Sequence, residues 1–126
     1  MRKLFVCPAT LAPGFISYSP IALKRLFSGR KVSPYLDFNF DDDDNRKEVI
    51  LNMGRISLSG VQEKFSGILD GNHIRLTKAD EQGTYILKPI PWDYSLSTYE
   101  QMPMNEHLTM QIASQIYGIQ TVANGL

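Results

Sequence analysis

The sequence has one cysteine, no excess of either charge and no long hydrophobic run. Because Cys7 stands alone, an intramolecular disulfide is excluded and too few ligands remain for a cysteine-based zinc site. The 13 Lys and Arg residues balance the 13 Asp and Glu residues, so no basic surface for nucleic acid or an anionic membrane is expected. No stretch approaches the roughly 20 apolar residues that span a bilayer. We therefore expect a soluble protein of the reducing cytoplasm that contacts neither nucleic acid nor membrane directly.

The N-terminal part, residues 1–53, is expected to form a strand and a helix that pack on the rest of the chain. Leu4–Cys7 is short and apolar, and turn-forming residues follow it, which is typical of a brief strand. The segment from Ser19 to Gly29 has the start and stop signals of a helix. Serine can cap the N-terminus, Pro20 suits the first turn and glycine can end the helix.

The remainder, residues 54–126, predicts an antiparallel sheet closed by a helix. Residues 64–69 and 73–76 have strand composition and flank a tight turn, which indicates a hairpin, and residues 84–88 are expected to add a third strand as a meander. A helix from Asn105 to Tyr117 follows. Two of its stripes are apolar, so it should be substantially buried. The fold class is α+β, an antiparallel β-sheet with packed helices, and 126 residues are too few for a two-lobed enzyme.

A lysine at the end of an apolar strand is the first candidate for chemistry. Lys88 follows the strand-like residues 84–87, where a buried ammonium group needs a carboxylate or phosphate partner unless it reaches solvent. Helical spacing places Glu106 in line with Met110 and Ala113, on an inward-facing stripe. Glu106 is therefore one possible partner for Lys88. The alternative is that Glu106 is a first-turn acid and that Lys88 lies on the exposed side of its strand.

A loop of small residues, Gly54 to Lys64, is the second candidate. Ser57, Ser59 and Gly60 are small enough to let backbone N–H groups approach an anion, and Lys64 at the loop's exit could reach a phosphate. Neither of the two common glycine-rich phosphate-binding motifs is present. The alternative is a plain loop that leads into the hairpin.

The remaining titratable residues do not predict a metal site. His73 lies beside a turn, and His107 is expected to pack or cap the first turn of its helix. Cys7 has no visible activating neighbour in the sequence. The run Asp41–Asp44 is expected to be the solvated start of a helix, since it lacks the alternating ligands, glycine and distal glutamate of a calcium loop.

Three segments in this order and spacing resemble the HipA family of serine/threonine kinase toxins. They are Ile56–Lys64 with the sequence I-S-L-S-G-V-Q-E-K, Tyr85–Pro89 with Y-I-L-K-P, and Asn105–His107 with N-E-H. The resemblance covers roughly residues 54–126 and is strongest to short, HipT-type members. The S-x-S-G-x-Q-x-K run is its specific part.

The resemblance implies the role of an N-terminal kinase lobe. In the family the serine loop is the counterpart of a glycine-rich loop and holds an autophosphorylated serine, which corresponds to Ser57 or Ser59. The strand lysine that contacts nucleotide phosphates corresponds to Lys88, and its helix carboxylate to Glu106. ATP and magnesium are the family's cofactors. Its substrates are of the aminoacyl-tRNA synthetase class, and phosphorylation arrests translation.

Departures from the family pattern limit what the resemblance implies for this chain. The family's catalytic and metal-binding aspartates lie downstream of Leu126, so no catalytic residue is assigned here, and the chain alone is expected to be inactive and not to bind ATP tightly. Some short members begin with a Cys-x-x-Cys zinc ribbon, but here the pattern reads Cys7-Pro8-Ala9-Thr10, with Tyr18 and Ala22 at later ligand positions, so no zinc is expected.

Two functions follow as hypotheses. The chain is either the N-terminal lobe of a toxin kinase, or a non-catalytic module that docks an antitoxin or a kinase C-terminal lobe in trans. The expected partners are the missing C-terminal lobe, a helix-turn-helix antitoxin, a small protein resembling the family's N-terminal subdomain, and the protein substrate.

Overall fold

The computed structural model describes residues 5–38, 64–91 and 97–126. The chain divides into two units, one formed by Met1–Pro34 with Gln101–Leu126 and the other by Tyr35–Glu100. The predicted helix start at Asp41–Asp44 and the proposed boundary between residues 53 and 54 lie outside the described residues. In the described part, two helices and a three-stranded antiparallel sheet confirm the predicted α+β class.

The first helix, α1, spans Pro20–Phe27 and forms where its local signals predicted. The Ser19 hydroxyl accepts a hydrogen bond from the Ala22 N–H at 3.3 Å and so caps the N-terminus. At the other end Ser28 has a left-handed φ of 53° and Gly29 a φ of 84°, and the Gly29 N–H donates to the Leu23 carbonyl at 2.9 Å.

The predicted strand at Leu4–Cys7 is wrong for the residues that the structure describes. Val6 and Pro13 form an isolated β-bridge, and between them the Cys7 N–H donates to the Ala12 carbonyl at 2.8 Å. Pro8 directly follows Cys7, and a turn begins there, so the chain reverses before a ladder can extend. The result is a tight loop.

This loop and α1 form the core of the first unit. Cys7, Ala9 and Ala22 are buried together, and Tyr18 and Leu26 pack against them. The rings of Tyr18 and Phe27 meet edge to face, with centroids 5.3 Å apart and planes at 62°. The small residues of this cluster let α1 approach the loop closely.

The second unit contains the sheet, with strands β1 at Phe65–Asp70, β2 at His73–Leu76 and β3 at Tyr85–Leu87. The predicted hairpin is confirmed, because Asp70 pairs with His73 around a two-residue turn in which Gly71 has a φ of 60°. The strand order is β2-β1-β3. The meander was therefore a wrong prediction, since β3 pairs with β1 and not with β2.

Contacts at Gly67 explain why β1 is central. A Cβ added to Gly67 would lie 3.1 Å from Ile74 Cγ2 and 3.2 Å from Leu87 Cδ1, so the side chains of both neighbouring strands close over this glycine. Thr77 N–H donates to the Ser66 carbonyl on the β2 side, and Thr84 N–H donates to the Gly67 carbonyl on the β3 side. The connection between β2 and β3 therefore delivers the chain to the opposite edge of β1.

Ion pairs of Arg75 with Glu81 and Asp70 stabilise the connection between β2 and β3. Arg75 Nη1 and Nη2 donate to the two carboxylate oxygens of Glu81 at 2.7 and 2.8 Å, and Arg75 Nε donates to Asp70 at 2.8 Å. Glu81 also accepts the Lys78 N–H at 2.8 Å. The hydrogen bonds from Arg75, followed by that from Lys78, lower the pKa of Glu81 to about 2.

The second helix, α2, spans Met102–Gln115 and follows a 3₁₀ turn at Tyr99–Gln101. It begins three residues before the predicted Asn105, with Pro103 in its first turn, a position that tolerates proline. Gly118 has a φ of 64° beyond its end. The expected burial of α2 is wrong in the described structure, since His107 is its one buried residue and Ile112, Ile116 and Tyr117 are exposed.

Candidate functional site

The register of the sheet brings two predicted site residues together. Phe65 pairs with Leu87 at the end of the β1–β3 ladder. Continuing this antiparallel register by one step places Lys64 directly opposite Lys88. Opposed residues in such a pair have Cβ atoms about 5 Å apart and project from the same face of the sheet. The sequence had suggested each lysine separately, and the pairing of β3 with β1 makes them neighbours.

The same alternation defines the face on which they lie. Ser66 and Ile86 pair with each other and share this face with Lys64 and Lys88, whereas Phe65 projects from the other side and is buried. We call the side with Lys64, Ser66, Ile86 and Lys88 the lysine face. Ile86 is 73% exposed, so an accessible apolar side chain lies beside two cationic groups. Sequence reasoning missed Ile86, although its position two residues before Lys88 would have indicated it.

Two ammonium groups at opposed positions are a candidate for binding an anion, because each has positive charge and N–H donors. A phosphate group has the charge and the acceptor oxygens for this role, and Lys64 and Lys88 have the donors. The exposed Ile86 could contact an apolar ring next to the phosphates. The lysine face is therefore a candidate site for a ligand that combines phosphate with a flat apolar group.

The other predicted site residues stay predictions. Ser57, Ser59 and Gly60 lie outside the described residues. Glu106 is half-buried in α2 and belongs to the first unit, whereas Lys88 belongs to the second. Their predicted ion pair is therefore untested. Lys64 is the last residue of the predicted serine loop and the one residue of that loop that the structure describes.

Cys7 has a more activated environment than the sequence indicated. Its Sγ accepts hydrogen bonds from the Ser19 N–H at 3.2 Å and the Thr10 N–H at 3.5 Å. Burial raises the pKa of the Cys7 thiol, but the hydrogen bonds from Ser19 and Thr10 together outweigh it and lower the pKa to about 7. The thiol is 0% exposed, which keeps reagents away from it.

The residues at the positions compared above with a zinc ribbon lie around the Cys7 thiol. The Thr10 N–H donates to Cys7 Sγ, Ala22 is buried together with Cys7, and Tyr18 packs against this cluster. Among the described residues, no group of three or more His, Cys, Asp or Glu side chains could hold a metal ion. Thr10, Tyr18 and Ala22 supply neither the thiolate nor the imidazole that zinc prefers.

A polar cluster fastens α2 to the segment that follows it. His107 Nδ1 and Asn124 Oδ1 are 2.6 Å apart, and Gln111 Nε2 donates to the same oxygen at 3.0 Å. Gln115 Nε2 donates to Gln111 Oε1 and to the Thr10 carbonyl, each at 2.8 Å. The cluster joins α2, the C-terminal segment and the N-terminal loop.

Because an amide oxygen only accepts hydrogen bonds, His107 Nδ1 must donate, which leaves Nε2 with a lone pair. Nε2 is buried, with no hydrogen-bond partner among the described atoms. Burial lowers the pKa of His107, and the hydrogen bond to Asn124 offsets this in part. His107 is thus held neutral inside the first unit.

This arrangement predicts an acid-sensitive fold. Folding lowers the pKa of His107, so the unfolded chain binds a proton at this residue more readily than the folded chain does. The contribution of neutral His107 to the free energy of unfolding is therefore fully present above pH 6.5 and is lost as the pH falls below it. Urea unfolding at pH 7.5 and 5.5 should show the loss in the parent and in His73→Asn, which removes the second histidine as a control. In His107→Gln the loss should shrink. An equal loss in His107→Gln would contradict the prediction.

Within the described ranges, no helix combines the length and apolar character needed to cross a membrane. The fold thus defines an α+β protein with a three-stranded antiparallel sheet and two helices in its described residues. The chain is 32% identical over 128 residues to a Haemophilus influenzae protein named "Putative kinase". The alignment covers 98% of this chain and 33% of the relative, so the chain spans about a third of the relative's length. No protein-family model matches the sequence.

Proposed function

We propose that this chain is the nucleotide-binding N-terminal lobe of a HipA-like serine/threonine kinase toxin. The observation that supports this most is the β1–β3 register, which opposes Lys64 and Lys88 beside the exposed Ile86. Similarity to a protein named as a kinase, at 32% identity, supports the general class. The serine loop and the Y-I-L-K-P and N-E-H segments support the more specific family.

In the proposed mechanism, the chain's own residues position the nucleotide phosphates. Lys88 and Lys64 neutralise phosphate charge from the lysine face, and Ile86 contacts the base or sugar. Glu106 would orient Lys88 once the lobe is assembled in the complete kinase. Magnesium, when bound with ATP, supplies charge neutralisation between phosphates. The catalytic aspartate and its metal-binding neighbour would come from a further part of the polypeptide.

A self-limiting switch follows from the same site. A phosphate on Ser57 or Ser59 would place negative charge in the segment that enters the sheet at Lys64. That phosphate and the nucleotide phosphates would compete for the same two lysines, and the nucleotide would bind more weakly. The proposed substrate class is an aminoacyl-tRNA synthetase serine, and the proposed regulator is a helix-turn-helix antitoxin.

Binding of Mg-ATP to the lysine face tests the proposal. Titration of this chain followed by NMR should show weak binding, with the largest amide shifts at residues 64–66 and 86–88. Lys64→Ala and Lys88→Ala should each raise the dissociation constant about tenfold, because each removes a charge-assisted contact. Lys78→Ala, an equal charge change on an exposed loop of the same unit, should leave it unchanged.

Two outcomes would count against the proposal. Amide shifts centred away from the lysine face would show that ATP binds elsewhere. An equal effect of Lys78→Ala would show that only the overall charge matters. ATP hydrolysis by this chain alone should stay at background, because no catalytic aspartate is assigned to it.

A further inference from the structure

The outer side of α2 has an apolar stripe that the described structure leaves open. Leu108, Ile112 and Ile116 follow one another at intervals of four residues and so share one side of the helix. They are 45%, 39% and 71% exposed. The segment after the helix also exposes large apolar side chains: Tyr117, Ile119 and Val122. We call these six residues the α2 stripe.

The sequence around the stripe is unusual for a solvent-facing surface. From His107 to Leu126 it contains no Lys, Arg, Asp or Glu, whereas 21% of the whole chain is charged. Single exposed apolar residues are ordinary, but contiguous ones without charge are typical of surfaces that become covered. Depletion of charged residues is the compositional mark of an interface core.

The inner side of the same helix is already occupied. His107 is buried and, with Gln111, hydrogen-bonds to Asn124. The Leu126 N–H donates to the Pro8 carbonyl at 2.9 Å. These hydrogen bonds hold the segment after α2 against the N-terminal loop. The side chains of the α2 stripe stay exposed.

We infer that the α2 stripe is the surface on which the rest of a longer kinase polypeptide docks. The chain accounts for 33% of the length of the kinase-named relative, so a polypeptide of that length has about two thirds more to place. A large apolar face without charge suits a permanent contact within one polypeptide, which needs no steering charges to find its partner. This inference rests on the proposed function, because it takes the chain to be one part of a kinase.

Thiol labelling of variants with one added cysteine tests the inference directly. Ile116→Cys places a thiol in the stripe, and Ile21→Cys places one on α1 at a comparable exposure of 61%. The native Cys7 is fully buried and should react slowly. Each variant is made in this chain and in the longer polypeptide read on past Leu126, and maleimide labelling rates are compared.

The Ile116→Cys thiol should label at least about tenfold more slowly in the longer polypeptide, because reaction then requires local opening of the contact. The Ile21→Cys thiol should label at the same rate in both. Equal rates for Ile116→Cys would overturn the inference. So would a stop codon directly after Leu126, or labelling that slows in this chain alone as its concentration rises, which would mean that a second copy covers the stripe.

A second variant separates docking from nucleotide binding. Ile112→Glu places a charge in the stripe, and it should destabilise the longer polypeptide while leaving Mg-ATP binding by this chain unchanged. If the longer polypeptide protects Ile116→Cys but binds no nucleotide, docking stands and the proposed function fails. If it binds nucleotide at Lys64 and Lys88 while Ile116→Cys stays reactive, docking fails and the proposed function stands.

Discussion

Replacing Phe65 with alanine is expected to lower the free energy of unfolding by about 3–5 kcal/mol, the range for loss of a buried aromatic side chain. Phe65 is 3% exposed and begins the central strand, where it pairs with Leu87. Since small domains are stable by only about 5–15 kcal/mol, this change should remove a large share of the total. Urea unfolding followed by circular dichroism measures it, and hydrogen exchange of the β1 amides locates it.

Phe65→Leu is the matched control, because it keeps most of the apolar volume and should cost less than half as much as alanine. The variant also connects stability with the site, since Phe65 adjoins Lys64 and pairs with the residue before Lys88. Loss of the β1–β3 ladder would separate the two lysines and weaken Mg-ATP binding. A Phe65→Ala protein with unchanged stability would show that the sheet does not depend on this side chain.

Replacing Phe27 with alanine is expected to have an effect of similar size in the other unit, again about 3–5 kcal/mol. Phe27 is 4% exposed at the end of α1, and its ring meets that of Tyr18 edge to face. Phe27→Leu should recover most of the loss and leave about 0.5–1.5 kcal/mol, the part that belongs to the aromatic pair.

Arg25→Ala provides the surface control for this prediction. Arg25 is exposed on the same helix, so its replacement should change the free energy of unfolding by less than about 0.5 kcal/mol. Urea unfolding of the three variants side by side measures all of these differences. If Phe27→Ala and Arg25→Ala had equal effects, the assignment of Phe27 to the core would be wrong.

Local elements were predictable because their signals lie within a few residues of each other. Ser19, Pro20 and Gly29 marked α1 to within two residues, and the turn around Gly71 marked the hairpin. The fold class followed from these elements. The predicted start of α2 was three residues late, because α2 includes Pro103 in its first turn, a position that tolerates proline.

Pairing between distant segments was harder to predict. The third strand was expected beside β2, its neighbour in sequence, but it pairs with β1, where Ile74 and Leu87 from the two neighbouring strands pack close to Gly67. With the third strand beside β2, the sequence did not predict that Lys64 and Lys88 would lie opposite each other. Once β3 is placed on β1, counting along the register opposes Lys64 and Lys88, and alternation adds Ile86 to the same face.

Burial was predicted wrongly for α2 for a related reason. Two apolar stripes indicate that a helix is covered, but they do not say by what. In the described structure, one side of α2 is held by the hydrogen bond between His107 and Asn124, whereas Ile112 and Ile116 are exposed. A repeat of apolar residues at helical spacing therefore does not by itself establish that a helix is buried.

The sequence by itself determined which segments become helix and strand, and which residue types could bind a phosphate, because capping, turn chemistry and side-chain charge act over a few neighbouring residues. Only the tertiary structure decided which strands pair, which lysines stand opposite each other and which face of α2 stays open. Those outcomes depend on side chains far apart in the chain, whose packing energies are set by the complete fold.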